Sequence, residues 1–485
     1  METELLYLRV AAHYRRAIDT GVLAPGDRLP SVRSLMQSHH VSLSTAVQAC
    51  RRLEEEGLVE ARPRSGYFVL RPRRPVLAPI AEPEVLRTPD PAQYVGIHDR
   101  VSAFIAKCES QGCGANFALA APPAEFLPVE PLKQAMMRAL RRSPEMLCSR
   151  VPPQGHPALR TVLARRALEF GVQTHADEVI VTHGCIEAIN LALRAVAQPG
   201  DVIAVESPTY FGLLQVLESL GMRALEIPTR PQHGLSVDAL ELALQAYPEI
   251  RAVVTIPNHH NPLGCVMPDA DKARLVALCE QRGVPLVEDD TYGALGDNGA
   301  PTALKAWDGT GNVIYCASMH KTLAPGMRLG WMLGGRWRHR IDMLKYAQTR
   351  PNEPLGQVAA ADVMSSKSFD RHLARLRSRL RAQREEMADA IARYFPPGTR
   401  LNTPTGGMLL WVELPAGTSG AAVFERALRD GVRVAPGAIF SNSDRYDHFL
   451  RVSFGEACTP ATIRALRLLA DAVEAEMPRA ARVAA

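Results

Sequence analysis

Nowhere in its 485 residues does the chain hold an apolar run near the roughly 18 residues that a membrane-spanning helix needs. The first residues, METELLYLRVAAHYRR, show no basic leader followed by an apolar stretch and a small-residue cleavage site. A cytoplasmic protein without membrane partners is therefore expected. Cysteine is scattered: nine residues, an odd number, with none in a CxxC spacing. That excludes a disulfide framework and a zinc ribbon. Lysine is absent from residues 1–75, which hold twelve arginines and eight acids and so carry +4 of the total charge of +5. The positive excess thus sits in the first sixth of the chain, as expected of a part that touches phosphates. Hydrophobic residues at 47% and charged residues at 22% are those of a globular protein, too long for one ordinary core.

Two or three domains are expected, and the pattern places their boundaries. Leu6, Val10, Tyr14 and Ala17 recur at helical spacing within residues 3–20. The turn-rich GVLAPGDRLP (21–30) precedes a short helix that Ser31 caps. After a break at His39–Val41, a longer helix starts at Ser42, buries Ala46, Cys50 and Leu53, and stops at Gly57. Strand-like runs at Leu58–Ala61 and Tyr67–Leu70 follow. This is the order of a winged helix-turn-helix, assigned to 1–70.

Residues 71–91 are rich in proline and charge and read as an extended linker; with the helix-compatible Val95–Cys108 it is assigned to 71–114. Strand–helix alternation begins beyond it, through VIVTHG, DVIAVESP, RALEIPT, RAVVTIPN, VPLVEDD, NVIYCAS and RLGWMLG. Such alternation predicts an α/β body with a mostly parallel sheet covered by helices on both sides. A long charged helix at about 368–394 leads to shorter strands near 407–414, 432–434 and 449–454. They suggest a smaller lobe. The expected division of 115–485 is a large lobe at about 150–345 and a small lobe from 115–149 and 346–485.

Chemistry-bearing residues then fall at or just after the strands, where open α/β sheets bind ligands. In order they are Gly184, Tyr210, Asn261, Asp289, Tyr292, Ser318, Lys321, Arg328 and the distant Arg451. A lysine that condenses with an aldehyde cofactor must be partly desolvated or lie beside other cations, and Arg328 stands seven residues from Lys321. Arg328 suits a dianionic phosphate. Gly184 lets backbone N–H groups of Cys185 and Ile186 at a helix start approach it, and Ser318 adds a hydroxyl. Asp289 suits a protonated pyridine nitrogen, with Asp290 as the alternative carboxylate. Asn261 and Tyr292 suit a phenolic oxygen, and Tyr210 offers a flat face for stacking. His183, His259, His260 and His320 sit on separate strand ends without ligand spacing, so no metal is expected.

SMHKTLAPGMRLGW, PNHHNPLG and VEDDTYG resemble the lysine and ring-binding motifs of fold-type I, class I/II aminotransferase-like enzymes that use pyridoxal 5'-phosphate. The resemblance spans roughly 115–475. It implies that Arg451, in FLRVSFGE, grips a substrate carboxylate and that Gly155, in RVPPQGHPALR, lies near the substrate. His320, Cys185-Ile186 and Arg150 depart from the usual residues of that pattern. PGDRLPSVRSL and VSLSTAVQACRRLEEEGLVEARPRSGYFV resemble the reader head of the GntR family. This resemblance implies DNA contacts by Arg28, Arg33, Ser44, Thr45, Arg62, Arg64 and Gly66; Leu43 stands where arginine is frequent. A GntR head on such a body is the layout of the MocR subfamily. It implies a homodimeric regulator of a double-stranded DNA operator, sensing an amino compound or the cofactor itself through an internal aldimine on Lys321. An active aminotransferase with an accessory head remains the alternative.

Overall fold

The computed structural model describes residues 6–19, 22–23, 26–55, 58–62, 65–70, 77–86, 88–148 and 151–478. The chain divides into two compact units, Met1–Val76 and Leu77–Ala485. In the first unit, helices Leu6–Asp19, Val32–His39 and Leu43–Glu55 precede an antiparallel hairpin of Val59–Arg62 and Gly66–Val69. Ser31 caps the second helix by accepting from Ser34 N at 3.2 Å. Val10, Tyr14, Leu35, Ala46, Cys50, Leu53, Val59 and Val69 form its core. Of the apolar spacing read in the first helix, Val10 and Tyr14 face inward, whereas Leu6 is exposed and Ala17 half-buried; the winged helix-turn-helix is present.

The second unit is built on a mixed sheet. From one edge its strands are Gln93–Tyr94, Arg223–Arg230, Val202–Ser207, Ile250–Thr255, Leu286–Asp289, Val313–Ser318, Gly330–Leu333 and Val179–Thr182. The five from Arg223–Arg230 to Val313–Ser318 run parallel; Gly330–Leu333 is antiparallel to both its neighbours. Val202–Ser207 and Val179–Thr182 are buried along their whole length, which explains their unbroken apolar sequences. A second, antiparallel sheet of Arg400–Leu401, Leu409–Glu413, Phe449–Ser453 and Ala435–Pro436 forms the smaller lobe. No described helix is long and apolar enough to cross a membrane.

Two boundaries differ from those expected. Helix Val129–Arg142 buries Leu132 and Ala135 in the core that also holds Val179, Val181 and Trp331, so it belongs to the large sheet and not the small lobe. The stretch assigned to a linker is, from Leu77 onward, part of the body. Ile80 N donates to Asn402 Oδ1 at 3.1 Å, Gln93–Tyr94 extends the large sheet, and Ile80, Val95 and Ile97 are buried in its core. Helix His98–Ser110 then packs Val101 into that core. Proline-rich composition specifies extended backbone but does not reveal whether apolar residues spaced along it find a groove. Residues 71–76 lie outside the described residues.

Replacing fully buried Ile97 tests this boundary. Ile97→Ala is expected to destabilise the body by about 2–5 kcal/mol in urea unfolding. A loss below about 0.5 kcal/mol is what a free linker residue would show.

Candidate functional site

Strand ends bring the sequence-distant residues to one cavity of about 310 Å³. Cys185, Ile186, Tyr210, Asn261, Asp289, Tyr292, Ser318, Lys321, Arg328 and Arg451 all line it. Asp289 ends strand Leu286–Asp289, and Lys321 follows strand Val313–Ser318. Tyr210 precedes helix Phe211–Ser219, whereas Arg451 comes from strand Phe449–Ser453 of the smaller lobe. The cavity therefore depends on both lobes.

One end is built for a phosphate. Gly184 precedes helix Cys185–Val196 with φ +80°, and no side chain caps that helix start. A Cβ at Gly184 would stand 3.2 Å from Arg328 Nη2, and one at Gly330 would stand 2.6 Å from the Gly184 carbonyl carbon. Glycine is required at Gly330 by close approach to backbone and at Gly184 by its positive φ. Uncapped N–H groups, the Arg328 guanidinium and the Ser318 hydroxyl suit a dianion. Ser318 Oγ already accepts from His320 N at 3.2 Å. The His320 ring nitrogens lie 3.0 and 3.2 Å from Arg328 Nη1. Burial, then Lys321 and Arg328, lower the His320 pKa to about 4, so the ring is neutral at pH 7.

At the other end, Asp289 is buried, and burial raises its pKa. Its Oδ1 accepts from Thr291 N at 3.0 Å, Thr291 Oγ1 at 2.6 Å and Cys185 Sγ at 3.2 Å. These bonds all fall on Oδ1, which leaves Oδ2 for a protonated ring nitrogen. Asp290 accepts instead from Asn258 and from Tyr315 OH at 2.8 Å, and it does not line the cavity. The choice between the two carboxylates thus falls on Asp289.

Lys321 Nζ donates to Ala120 O at 2.5 Å and lies 5.5 Å from the centre of the Tyr292 ring. Loss of hydration and the nearby Arg451 and Arg328, against the opposing pull of Asp289, lower its pKa to about 8. Arg451 is buried; Nη1 donates to Asn261 Oδ1 at 3.2 Å and Nη2 to Ala118 O at 2.5 Å, while Nε has no partner. A buried guanidinium held only by neutral acceptors is poised for an anion. The donor set therefore fits pyridoxal 5'-phosphate and an amino acid carboxylate.

Gly155 is not brought to this cavity. With φ +108°, it sits where a Cβ would meet Val181 Cγ2 at 2.5 Å, so close packing requires glycine there. Sequence reasoning missed Thr291, which fixes Asp289, and the Ala118 and Ala120 carbonyls that accept from the two cations. Thr291 was signalled by its place between Asp289 and Tyr292; the alanine carbonyls carry no side-chain signal.

In the head, Arg28, Arg33, Ser44 and Arg62 are exposed and Thr45 is half-buried. The Ser42 hydroxyl lies 2.9 Å from both Ser44 Oγ and Thr45 Oγ1, gathering three hydroxyls at the start of helix Leu43–Glu55. Arg62 pairs with Glu60 at 2.6 Å and stacks over Phe68, so its guanidinium is partly committed. Gly66 turns the hairpin at φ +99° beside the Arg28 side chain. Arg64 and Arg150 lie outside the described residues.

Residues 119–467 match the family described as aminotransferase class I and II, and residues 6–69 match bacterial regulatory proteins, gntR family. The uncharacterized HTH-type transcriptional regulator YjiR of Escherichia coli (strain K12) is 36% identical over 469 residues, covering 96% of this chain and 98% of its own. The structure of kynurenine aminotransferase from Pyrococcus horikoshii is similar at TM-score 0.73 and 26% identity, covering 78% of this chain and 95% of its own. The α-aminoadipate aminotransferase LysN of Thermus thermophilus, solved with N-(5'-phosphopyridoxyl)-L-leucine, is similar at TM-score 0.71 and 28% identity; the match covers 77% of this chain and 94% of LysN.

The cavity makes a pH prediction for Lys321. Its amine must be neutral to attack an aldehyde, so capture of pyridoxal 5'-phosphate, trapped by borohydride, is expected to rise about tenfold per pH unit below pH 8 and level off above it. A rate still climbing toward the ordinary lysine value of about 10.4 would show a solvated amine.

Proposed function

Because the chain belongs to the gntR family of bacterial regulatory proteins and carries an aminotransferase class I and II body, the layout of the MocR subfamily, we propose that it is a DNA-binding transcription regulator. Its body holds pyridoxal 5'-phosphate and reads an amino compound bearing a carboxylate. The observation that carries this reading is the meeting of Lys321, Arg328 and Arg451 in a cavity whose only lining carboxylate among the described residues is Asp289. That excess of cations suits anionic ligand groups, a phosphate and a carboxylate.

When bound, the cofactor supplies an electrophilic aldehyde carbon and an electron-withdrawing ring. Arg328, Ser318 and the start of helix Cys185–Val196 hold its phosphate. Asp289 Oδ2 accepts from the ring nitrogen, and Asn261 and Tyr292 orient the phenolic oxygen. Tyr210 packs against the ring face. Lys321 Nζ, neutral in its desolvated setting, would be the amine that meets the aldehyde carbon, and Arg451 would clamp the carboxylate of an amino compound. Since Arg451 belongs to the small-lobe sheet and Lys321 follows a strand of the large one, a ligand bridging them favours one lobe arrangement. That shift, passed to the reader heads of a cytoplasmic homodimer, changes binding to a double-stranded operator. Exposed Arg28 and Arg33 position the head, and Ser44 and Thr45 at the recognition-helix start face base edges.

A second reading, an active aminotransferase, is favoured by the lowered pKa of Lys321, since an amine titrating near 8 can also move a proton to and from Nζ. Turnover separates the two. Wild-type protein with pyridoxal 5'-phosphate is expected to show a visible absorbance band that borohydride abolishes and Lys321→Ala lacks. Amino acids should shift that band and change operator affinity without steady keto-acid formation; steady formation would favour the enzyme. Arg451→Ala should raise the amino acid concentration needed for the shift about tenfold to a hundredfold, and alter the response to simple amines far less. Equal losses for both ligand types would remove the carboxylate clamp from the reading.

A further inference from the structure

We propose that the body also grips the DNA backbone, through a stripe of cations on the long helix Lys367–Tyr394. The inference rests on the reading of the head as a DNA binder and extends the interface beyond it. Residues 367–384 hold seven lysines and arginines against one acid, although residues 76–485 together carry only about +1. Charge of one sign is therefore concentrated on half of one helix.

Its cations fall into two sets. Three are engaged by the body: Arg377 Nε donates to Ala294 O at 2.8 Å, and Arg384 and Arg381 pair with Asp297 at 2.7 and 3.3 Å. Lys367, Arg371, Arg375 and Arg379 are exposed and stand four residues apart, which places them along one face. The side chains of Lys367, Arg371 and Arg375 have no ion-pair or hydrogen-bond partner among the described residues. Arg379 lies over the Phe126 ring at 4.9 Å and donates to Glu125 O at 3.4 Å, which fixes one end of the row. A groove of about 280 Å³ runs beside it, lined by Pro128, Phe369, His372, Arg375 and Arg379, with Glu125 as the acid at the Arg379 end.

The dimensions fit a nucleic acid strand. Four residues of helix rise about 6 Å, so the row spans about 18 Å. One strand of duplex DNA presents a phosphate about every 3.4 Å of axis, so the row can lie along about five of them. An unpaired arginine row costs self-repulsion in the free protein, which a polyanion relieves while releasing counterions.

The helix is also the element shared by both lobes. Phe369 and Leu373 are packed in the core of the large sheet, whereas Leu376, Leu380 and Met387 are packed in that of the smaller lobe. The stripe straddles this handover, so a change in lobe arrangement alters the row that faces the phosphates.

The test uses the full-length protein and a labelled mixed-sequence duplex of about 40 base pairs, with affinity measured against salt concentration by fluorescence anisotropy. The triple variant Arg371→Gln/Arg375→Gln/Arg379→Gln is expected to lower the slope of log affinity against log salt by about 2.7, that is about 0.9 per lost contact. The matching triple change to lysine should keep the wild-type slope, because phosphate contacts need charge more than a planar fork. Circular dichroism confirms that both variants fold. An unchanged slope in the glutamine triple, with Arg33→Gln still weakening binding, would overturn the body contact and leave the head reading intact. If the triple instead loses only affinity for a polyglutamate peptide, the stripe belongs to an acidic protein partner and the DNA assignment falls. Wild type that binds no duplex at any salt would overturn the head reading, and this inference with it.

Discussion

Three cationic side chains share one cavity with a single carboxylate, and this imbalance is the constraint on which the rest of the body depends. Lys321, Arg328 and Arg451 cannot neutralise one another, and Asp289 spends one of its oxygens on Thr291 and Cys185. Bringing such groups together costs free energy unless anions complete the site. The fold meets that cost with neutral acceptors, the Ala118 and Ala120 carbonyls and the Asn261 amide oxygen, which hold the cations without discharging them. Burial first, and the same imbalance after it, lower the pKa of Lys321 and keep His320 neutral. Electrostatics, glycine placement and sheet topology thus serve one end: a preorganised site for two anionic groups.

Much of this was legible because strand ends in an open α/β sheet converge, so order along the chain becomes proximity in space. Ten of the residues named from the sequence line the cavity, and each follows a strand or lies in one. Gly155 shows what a local motif leaves open. A glycine marks close approach, but whether the approaching group is a ligand or the Val181 side chain depends on packing between elements that the local motif does not contain. The same holds for helix Val129–Arg142, whose amphipathic pattern shows that one face is buried but not against which sheet. The extended approach to the body was hidden too, since buried Ile80, Val95 and Ile97 lie in a stretch whose prolines suggest solvation.

In the head, local signals sufficed for the fold, since Ser31 caps where it should and the apolar stripe of the third helix faces the core. They did not suffice for the side-chain state of the wing. Arg62 is partly engaged by Glu60 and Phe68, so any phosphate contact there competes with an existing ion pair. Exposed pairs of this kind are worth little, typically below about 1 kcal/mol, so that competition is weak.

Coupling between the two functions needs an element with a stake in both. A ligand that prefers one lobe arrangement shifts it only by its difference in affinity for the two states, commonly about 1–3 kcal/mol in coupled sites. Such small energies are transmitted by rigid elements and lost in loose ones. Helix Lys367–Tyr394 is 28 residues long, is packed in both cores, and touches the lysine loop where His372 Nε2 donates to Thr322 O at 2.9 Å. A segment so tied cannot follow one lobe without straining its packing in the other. Linkage then runs both ways: whatever holds the outer face of this helix in one position favours the cavity geometry that goes with it. On the proposed reading, the cationic row on that face would act on the cavity as well as on DNA.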